Sequence, residues 1–285
     1  MNELHVGGGT TRGALTVFPI WGEHTDGVKF STDLSGLVVG ERAGGASVGC
    51  LEVTNSTGID VVVFEGQVLE GGWQNRMVAR TTLVPTASTR EVEVVCVEEG
   101  RWAGARDHRA SGRRGSARVR SGLHKTNRQG AVWTKVREYE VQRGMTQTTS
   151  LMAHMDRDAG AVESLAAGFR TLPGQIGVVV AIAGQPVFAE VFANDDLLRR
   201  EFDSIIRAAA LDALGQTPVE TPSRRARRFV DRALQVPRSA VPAGERGRSV
   251  TGRSEYAELS EFDWDGALLH LVASNPRHAL NLVSA

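Results

Sequence analysis

Apolar positions in the first hundred residues recur in short runs, broken roughly every eight to twelve residues by polar turns. Ala14–Ile20 (ALTVFPI) reads as a strand. Val28–Leu34 and Leu37–Glu41 read as short extended pieces around a Ser35–Gly36 turn. Ala46–Thr54 is a longer strand, closed by the NSTG turn at 55–58. Asp60–Leu69 comes next, and apolar residues on both faces of Val61–Phe64 predict a strand covered on both sides. Arg76–Val84 and Glu91–Glu99 complete this half. In the latter, Val92, Val94, Cys96 and Glu98 share one side. Many short strands with regular turns predict a β-sandwich or barrel.

The pattern changes at Arg101. From there to Arg128 the chain carries nine Lys/Arg and one acid, Asp107, with few apolar residues. Such a segment buries too little surface to offset ordering entropy, so 103–128 is expected to be a basic flexible loop. Structure resumes at Gln129–Tyr139. A 3.6-residue period then marks helices over Ala159–Arg170, Asp196–Leu214 and a segment starting at Thr221–Pro222. The helix from Asp196 carries the stripe Leu198, Phe202, Ile205, Ile206 and Ala209, and Asn194–Asp195 supplies its cap. Ile176–Ala183 and Val187–Phe192 read as a hairpin, and Gly244–Tyr256 and Ala267–Ala273 as closing strands. The expected fold class is α+β. An N-terminal β-sandwich/barrel-like region (1–102) precedes an α+β region (129–285) with antiparallel strands and two to three helices, expected to share its core with the first region.

Composition narrows the function classes. The hydrophobic fraction is 41%, charged residues are 23% and formal net charge is zero, so no global field attracts nucleic acid or membrane. No run approaches the ~20 apolar residues of a membrane helix. The opening MNELHVGGGTT lacks the basic and apolar regions of a signal peptide. The two cysteines, Cys50 and Cys96, form no metal-ligand pattern. A cytoplasmic location with reduced thiols is the expectation, with no metal site and no cofactor identified.

Chemistry-bearing residues concentrate between Val61 and Trp102. In EGQVLEGGWQNR, Gly71 and Gly72 permit positive φ and close backbone approach. Gln74 and Asn75 offer amide groups, and Arg76 a cationic fork suited to carboxylate or phosphate. Glu65 opens this stretch. In CVEEGRW, Cys96 and Glu98 lie on one side of a strand, roughly 7 Å apart by strand rise. A neighbouring carboxylate raises a thiol pKa, so Glu98, with Glu65, is a better acid/base candidate than Cys96 is a nucleophile. Arg101 and Trp102 complete the ligand-binding candidates. Each residue also has a purely structural reading, as a hairpin turn and local ion pairs. Neither a Rossmann nor a P-loop signature is present.

Glu65–Gly66, Gly71–Gly72, Gln74–Asn75–Arg76, Cys96–Val97–Glu98 and Gly100–Arg101–Trp102 together resemble a bacterial domain family. The family is named for its association with ADP-ribosylglycohydrolases and the rhodanese/phosphatase superfamily. The resemblance continues through Gln129–Trp133, the Gly177–Phe192 hairpin and the helix from Asp195. It implies a link to ADP-ribose, NAD-derived or other phosphorylated nucleotide metabolites. It also makes Glu65, Gln74, Asn75, Arg76, Glu98 and Arg101 the corresponding polar positions. The leading expectation is a protein that binds or processes a small anionic nucleotide or sugar-phosphate metabolite. Two rivals stay open: a non-catalytic interaction module with a basic docking loop, and nucleic-acid binding through Arg101–Arg128 and Arg224–Arg228.

Overall fold

The computed structural model describes residues 4–25, 30–45, 47–242 and 247–282. Two compact units emerge, Met1–Gly27 with Ala159–Ser284, and Val28–Asp158. The first unit opens with β1 (His5–Val6), β2 (Thr10–Arg12) and β3 (Leu15–Trp21). The chain then builds the whole second unit before it returns.

The second unit contains β4 (Leu37–Gly40), β5 (Cys50–Asn55), β6 (Val61–Val63), β7 (Gln67–Gly71), β8 (Arg76–Val78), β9 (Thr82–Val84), β10 (Ser88–Cys96) and β11 (Asp107–Arg114). Helices α1 (Ala117–Arg120), α2 (Arg128–Arg143) and α3 (Leu151–Arg157) follow. Six strands close into an antiparallel barrel in the order β10-β5-β4-β11-β7-β8, and β6 pairs with β9. The pleat sends Val39, Leu51, Val53, Leu69, Val78, Val92 and Val94 into one core, joined by Val63 and Val84 from the two-stranded sheet.

The first unit resumes with α4 (Ala159–Ala166), the hairpin β12 (Gly177–Ile182) and β13 (Gln185–Phe192), then α5 (Asp195–Ala213) and α6 (Ser223–Leu234). It ends with β14 (Arg238–Pro242), β15 (Gly247–Arg253), β16 (Glu258–Trp264) and β17 (Ala267–Ser274). Among the described residues, the strands form one nine-stranded sheet. Its order is β1-β3-β12-β13-β17-β16-β15-β14, with β2 also on β3. The β12–β13 turn places Ala183 and Gly184 at φ +49° and +84°, the backbone twist that tight hairpins need. Asn194 caps α5 by accepting the Leu197 N–H at 3.0 Å, and the expected apolar stripe of that helix is buried. Ala226, Phe229, Val230 and Ala233 of α6 join Val179, Ala181, Ala189 and Val191 in a single core cluster. Helix α5 packs against β3, β12 and β13.

The α+β class and the barrel-like region hold, and among the described residues the later region carries five α-helices, α2 to α6, where two to three were expected. Three expectations change. Asp60–Leu69 is two strands in different sheets, because Gly66 turns at φ +88° and its N–H bonds Val78. Arg76–Val84 divides in the same way into β8 and β9. The segment 103–128 is no loop throughout: β11 pairs with both β4 and β7, and Arg114, Arg118 and Arg120 are buried. Composition misled there because guanidinium groups found partners inside. Arg118 lies 4.6 Å above the Tyr139 ring, and Arg120 meets Glu65 at 3.3 Å. Strands β14 and β16 escaped the sequence pattern. Ala46, Val28, Lys29 and part of the expected 244–256 strand lie outside the described residues. No described helix is long and apolar enough to cross a membrane.

Leu51 is fully buried at the centre of the barrel core. Leu51→Ala is expected to destabilise the protein by about 2–5 kcal/mol through lost contacts and a residual cavity, read as a lower urea midpoint.

Candidate functional site

The barrel register brings six strand ends together. Gly40 pairs with Asp107 and with Glu52, His108 with Gly71, Cys96 with Arg76, and Cys50 with Glu93. The end of β4, β7 and β10 and the start of β5, β8 and β11 therefore share one rim. Glu41, Gln74, Arg76, Cys96 and His108 converge there, and each is at least nine-tenths buried.

Arg76 organises the rim. Its Nη2 lies 3.3 Å from Glu41 Oε1, and its Nη1 donates to Gln74 Oε1 at 3.0 Å and to Cys96 Sγ at 2.6 Å. His108 Nε2 reaches the same Glu41 oxygen at 3.2 Å. Among the described residues, Glu41 Oε2 and Arg76 Nε find no hydrogen-bond partner. Burial pushes the His108 pKa down, outweighing the opposing pull of Glu41, so the ring is neutral at pH 7. Burial also pushes the Cys96 thiol up to about 11, despite Arg76, which leaves it protonated and unreactive.

A second layer closes over the first. Arg101 clasps Glu98 through Nη2 to Oε2 at 2.7 Å and Nε to Oε1 at 3.1 Å. Thr148 Oγ1 and the Asn75 N–H also donate to Glu98, at 2.7 and 3.1 Å. Burial alone would raise the Glu98 pKa, but the bonds from Arg101, Thr148 and Asn75 together hold it below the ordinary carboxylate value. Glu98 is thus an anionic anchor with its acceptor sites occupied, unsuited to donating a proton. Arg101 also donates to the Gly72 and Gly71 carbonyls. Trp73 and Trp102 meet edge to face at 5.3 Å, with Trp102 half exposed and 5.6 Å from the Arg76 guanidinium.

The candidates Gly71, Gly72, Gln74, Asn75, Arg76, Glu98, Arg101 and Trp102 therefore gather at one rim. Glu65 does not join them. Gln67 pairs with Arg114 and Gly71 with His108, so Glu65 lies beyond the far end of β7, roughly 13 Å away or more by strand rise. There it pairs with Arg120, and its N–H bonds Thr81 Oγ1 at 3.0 Å. Glu41 and His108 belong to the rim and were missed. They stand 35 and 32 positions from Arg76, and no local motif joins them to it. Barrel closure is what brings them into contact.

Beside the rim opens a cleft of about 750 Å³, lined by Glu70, Gly71, Asn75, Asp107, His108, Arg109, Arg113, Met152 and Asp156. Asn75 Oδ1 accepts the Gly71 N–H at 3.0 Å. Arg113 pairs with Asp156 at 2.6 Å and Arg109 with Glu70 at 3.4 Å. These pairs are largely exposed and weak, so a ligand can exchange them. Among the described residues, no group of three or more His, Cys, Asp or Glu is arranged to hold a metal ion.

Two outcomes follow from this geometry. A Cβ on Gly72 would sit 2.0 Å from His108 Nε2, and the residue holds φ +53°. Gly72→Ala is expected to cost about 1–3 kcal/mol and to shift the His108 ring resonances in an NMR spectrum. The folded-state pKa of His108 lies below its ordinary value of 6.5, so the unfolded chain takes up the proton first. Stability is then full above pH 6.5 and declines as pH falls through the folded value. His154, whose pKa burial also lowers, acts in the same direction. Urea midpoints measured against pH should therefore fall less steeply below pH 6.5 in His108→Gln than in the parent.

No curated protein and no solved structure gives a match to the chain. A family model does match, over residues 3–274. The span covers most of both compact units and every candidate residue at the rim. The chain belongs to the ARPP-1 family, the ARG and Rhodanese-Phosphatase-superfamily-associated Protein domain.

Proposed function

We propose that the chain binds, and acts on, a small sugar-phosphate or nucleotide metabolite in the cleft beside the barrel rim. The observation that carries this reading is the buried Glu41–Arg76–His108 cluster standing directly behind the cleft. Burying two opposite charges and an imidazole costs more than an apolar plug of the same volume would. Among the described residues Glu41 Oε2, Arg76 Nε and His108 Nδ1 find no hydrogen-bond partner, which calls for a reason other than stability.

The cleft lining suits a polyhydroxylated anion. Glu70, Asp107 and Asp156 offer acceptors for sugar hydroxyls, while Arg109 and Arg113 offer guanidinium forks for a phosphate. Asn75 adds an amide. Cations and carboxylates are nearly balanced, so selectivity comes from the pairing of hydroxyls with phosphate and not from charge alone. Arg76 and Arg101 serve this reading by holding the rim, since both are engaged by Glu41 and Glu98. Glu98 gives up the acid/base role, and His108, whose side chain is fully buried against Glu41, borders the cleft as a positioning residue that does not touch the ligand.

The internal pairing of Gln74, Arg76, Glu98 and Arg101 favours a second reading, a non-catalytic module in which the rim is a structural plug. Thermal-shift and calorimetric titration with ribose 5-phosphate and ADP-ribose separates the two. The first reading expects a raised Tm and, in Asn75→Ala and Arg113→Ala, about tenfold weaker binding. It fails if neither probe binds, or if both variants bind as the parent does.

A further inference from the structure

A second cleft, of about 500 Å³, lies in the other unit beside α6. Arg225, Arg228 and Arg232 follow at spacings of three and four along α6 and line it from one face of the helix. The opposite face is the apolar one that enters the core. Arg277 joins them from the segment after β17, 45 positions beyond Arg232. Tyr256 brings the two groups together: Arg232 Cζ lies 3.9 Å and Arg277 Cζ 5.3 Å from its ring centroid. None of the described residues lining the cleft is Asp or Glu.

This is not an ordinary solvated helix face. Arg228 and Arg232 repel each other at helical spacing, and such pairs destabilise a helix. Some exposed arginines of the same unit meet acids, as Arg199 meets Asp195 and Asp196, while Arg170, Arg200 and Arg224 meet none among the described residues; what sets this group apart is its convergence on one hollow. Among the described residues neither Arg228 nor Arg232 makes an ion pair, and Arg277 has a loose, exposed contact with Glu255 at 3.8 Å. Arg225 is fixed by donating to the Gly184 carbonyl at 2.5 Å. The Tyr256 ring orients two guanidinium planes without neutralising them. The fold thus draws four cations from two separate segments around one hollow and supplies no lining carboxylate.

We propose that this cleft is a phosphate site for a small phosphorylated molecule, distinct from the rim cleft of the barrel unit. Guanidinium forks match phosphate oxygens in pairs, and the volume falls in the range of small-ligand sites. The concavity favours a compact dianion over an extended polyanion.

Calorimetric titration of the full chain with pyrophosphate, at low and at physiological salt, tests this. Binding is expected, weaker as salt rises, and about tenfold or more weaker in Arg228→Gln/Arg232→Gln. Circular dichroism checks the fold, and Arg277→Gln alone serves if the double variant is misfolded. Arg199→Gln, an exposed arginine that lines neither cleft, should bind pyrophosphate as the parent does, which ties the loss to this cleft. The proposal is overturned by absent binding, by an unchanged double variant, or by an equal loss in Arg199→Gln. A single-stranded oligonucleotide that displaces pyrophosphate and binds more tightly would also overturn it, making the groove a nucleic-acid surface.

Discussion

The barrel unit depends on how one guanidinium is accommodated without water. Arg76 has no solvent exposure, so its charge must be balanced and its donors used where it stands. Glu41 supplies the charge, Gln74 and Cys96 accept hydrogen bonds, and His108 shares the carboxylate from the other side. Each partner comes from a different strand end. The cluster therefore exists only when the barrel is closed, and it couples the polar rim to the packing of Leu51, Val53 and Val92 below it.

The glycines of the rim answer to the same constraint. Gly72 leaves the space that the His108 ring fills, and the carbonyls of Gly71 and Gly72 receive Arg101. Arg101 in turn holds Glu98 ionised, and Glu98 fixes Asn75 and Thr148. Two arginine–carboxylate pairs are thus stacked at one end of the barrel, the inner sealed and the outer half open. Such nested pairs position the flanking groups, Asn75 and His108, that border the adjoining cleft.

The two units handle arginine in opposite ways. At the barrel rim Arg76 and Arg101 each meet a carboxylate, and the cleft beside it mixes both signs. Beside α6 the guanidiniums meet an aromatic ring and no lining acid. The first arrangement gives a precise, nearly neutral surface. The second leaves a standing positive potential.

Much of this was written in local pattern. Alternating valines marked β10, a continuous apolar run marked β12, a 3.6-residue stripe marked α5, and Asn194 marked its start, because burial pattern and capping are properties of neighbouring residues. The glycines, amides and arginine concentrated at 71–76 come to lie together at the rim. What the sequence could not carry was the meeting of distant strand ends. Glu41 and His108 have no signal near Arg76, and Glu65, so close to it in the chain, ends up at the far end of the barrel. The basic segment after Trp102 looked too polar to fold, yet Arg114 and Arg118 are buried, because the partners that make burial tolerable come from elements elsewhere in the fold. Local chemistry determined which segments would be strands and helices. Only barrel closure, which sets register and hence which ends share a rim, decided which charges would face each other.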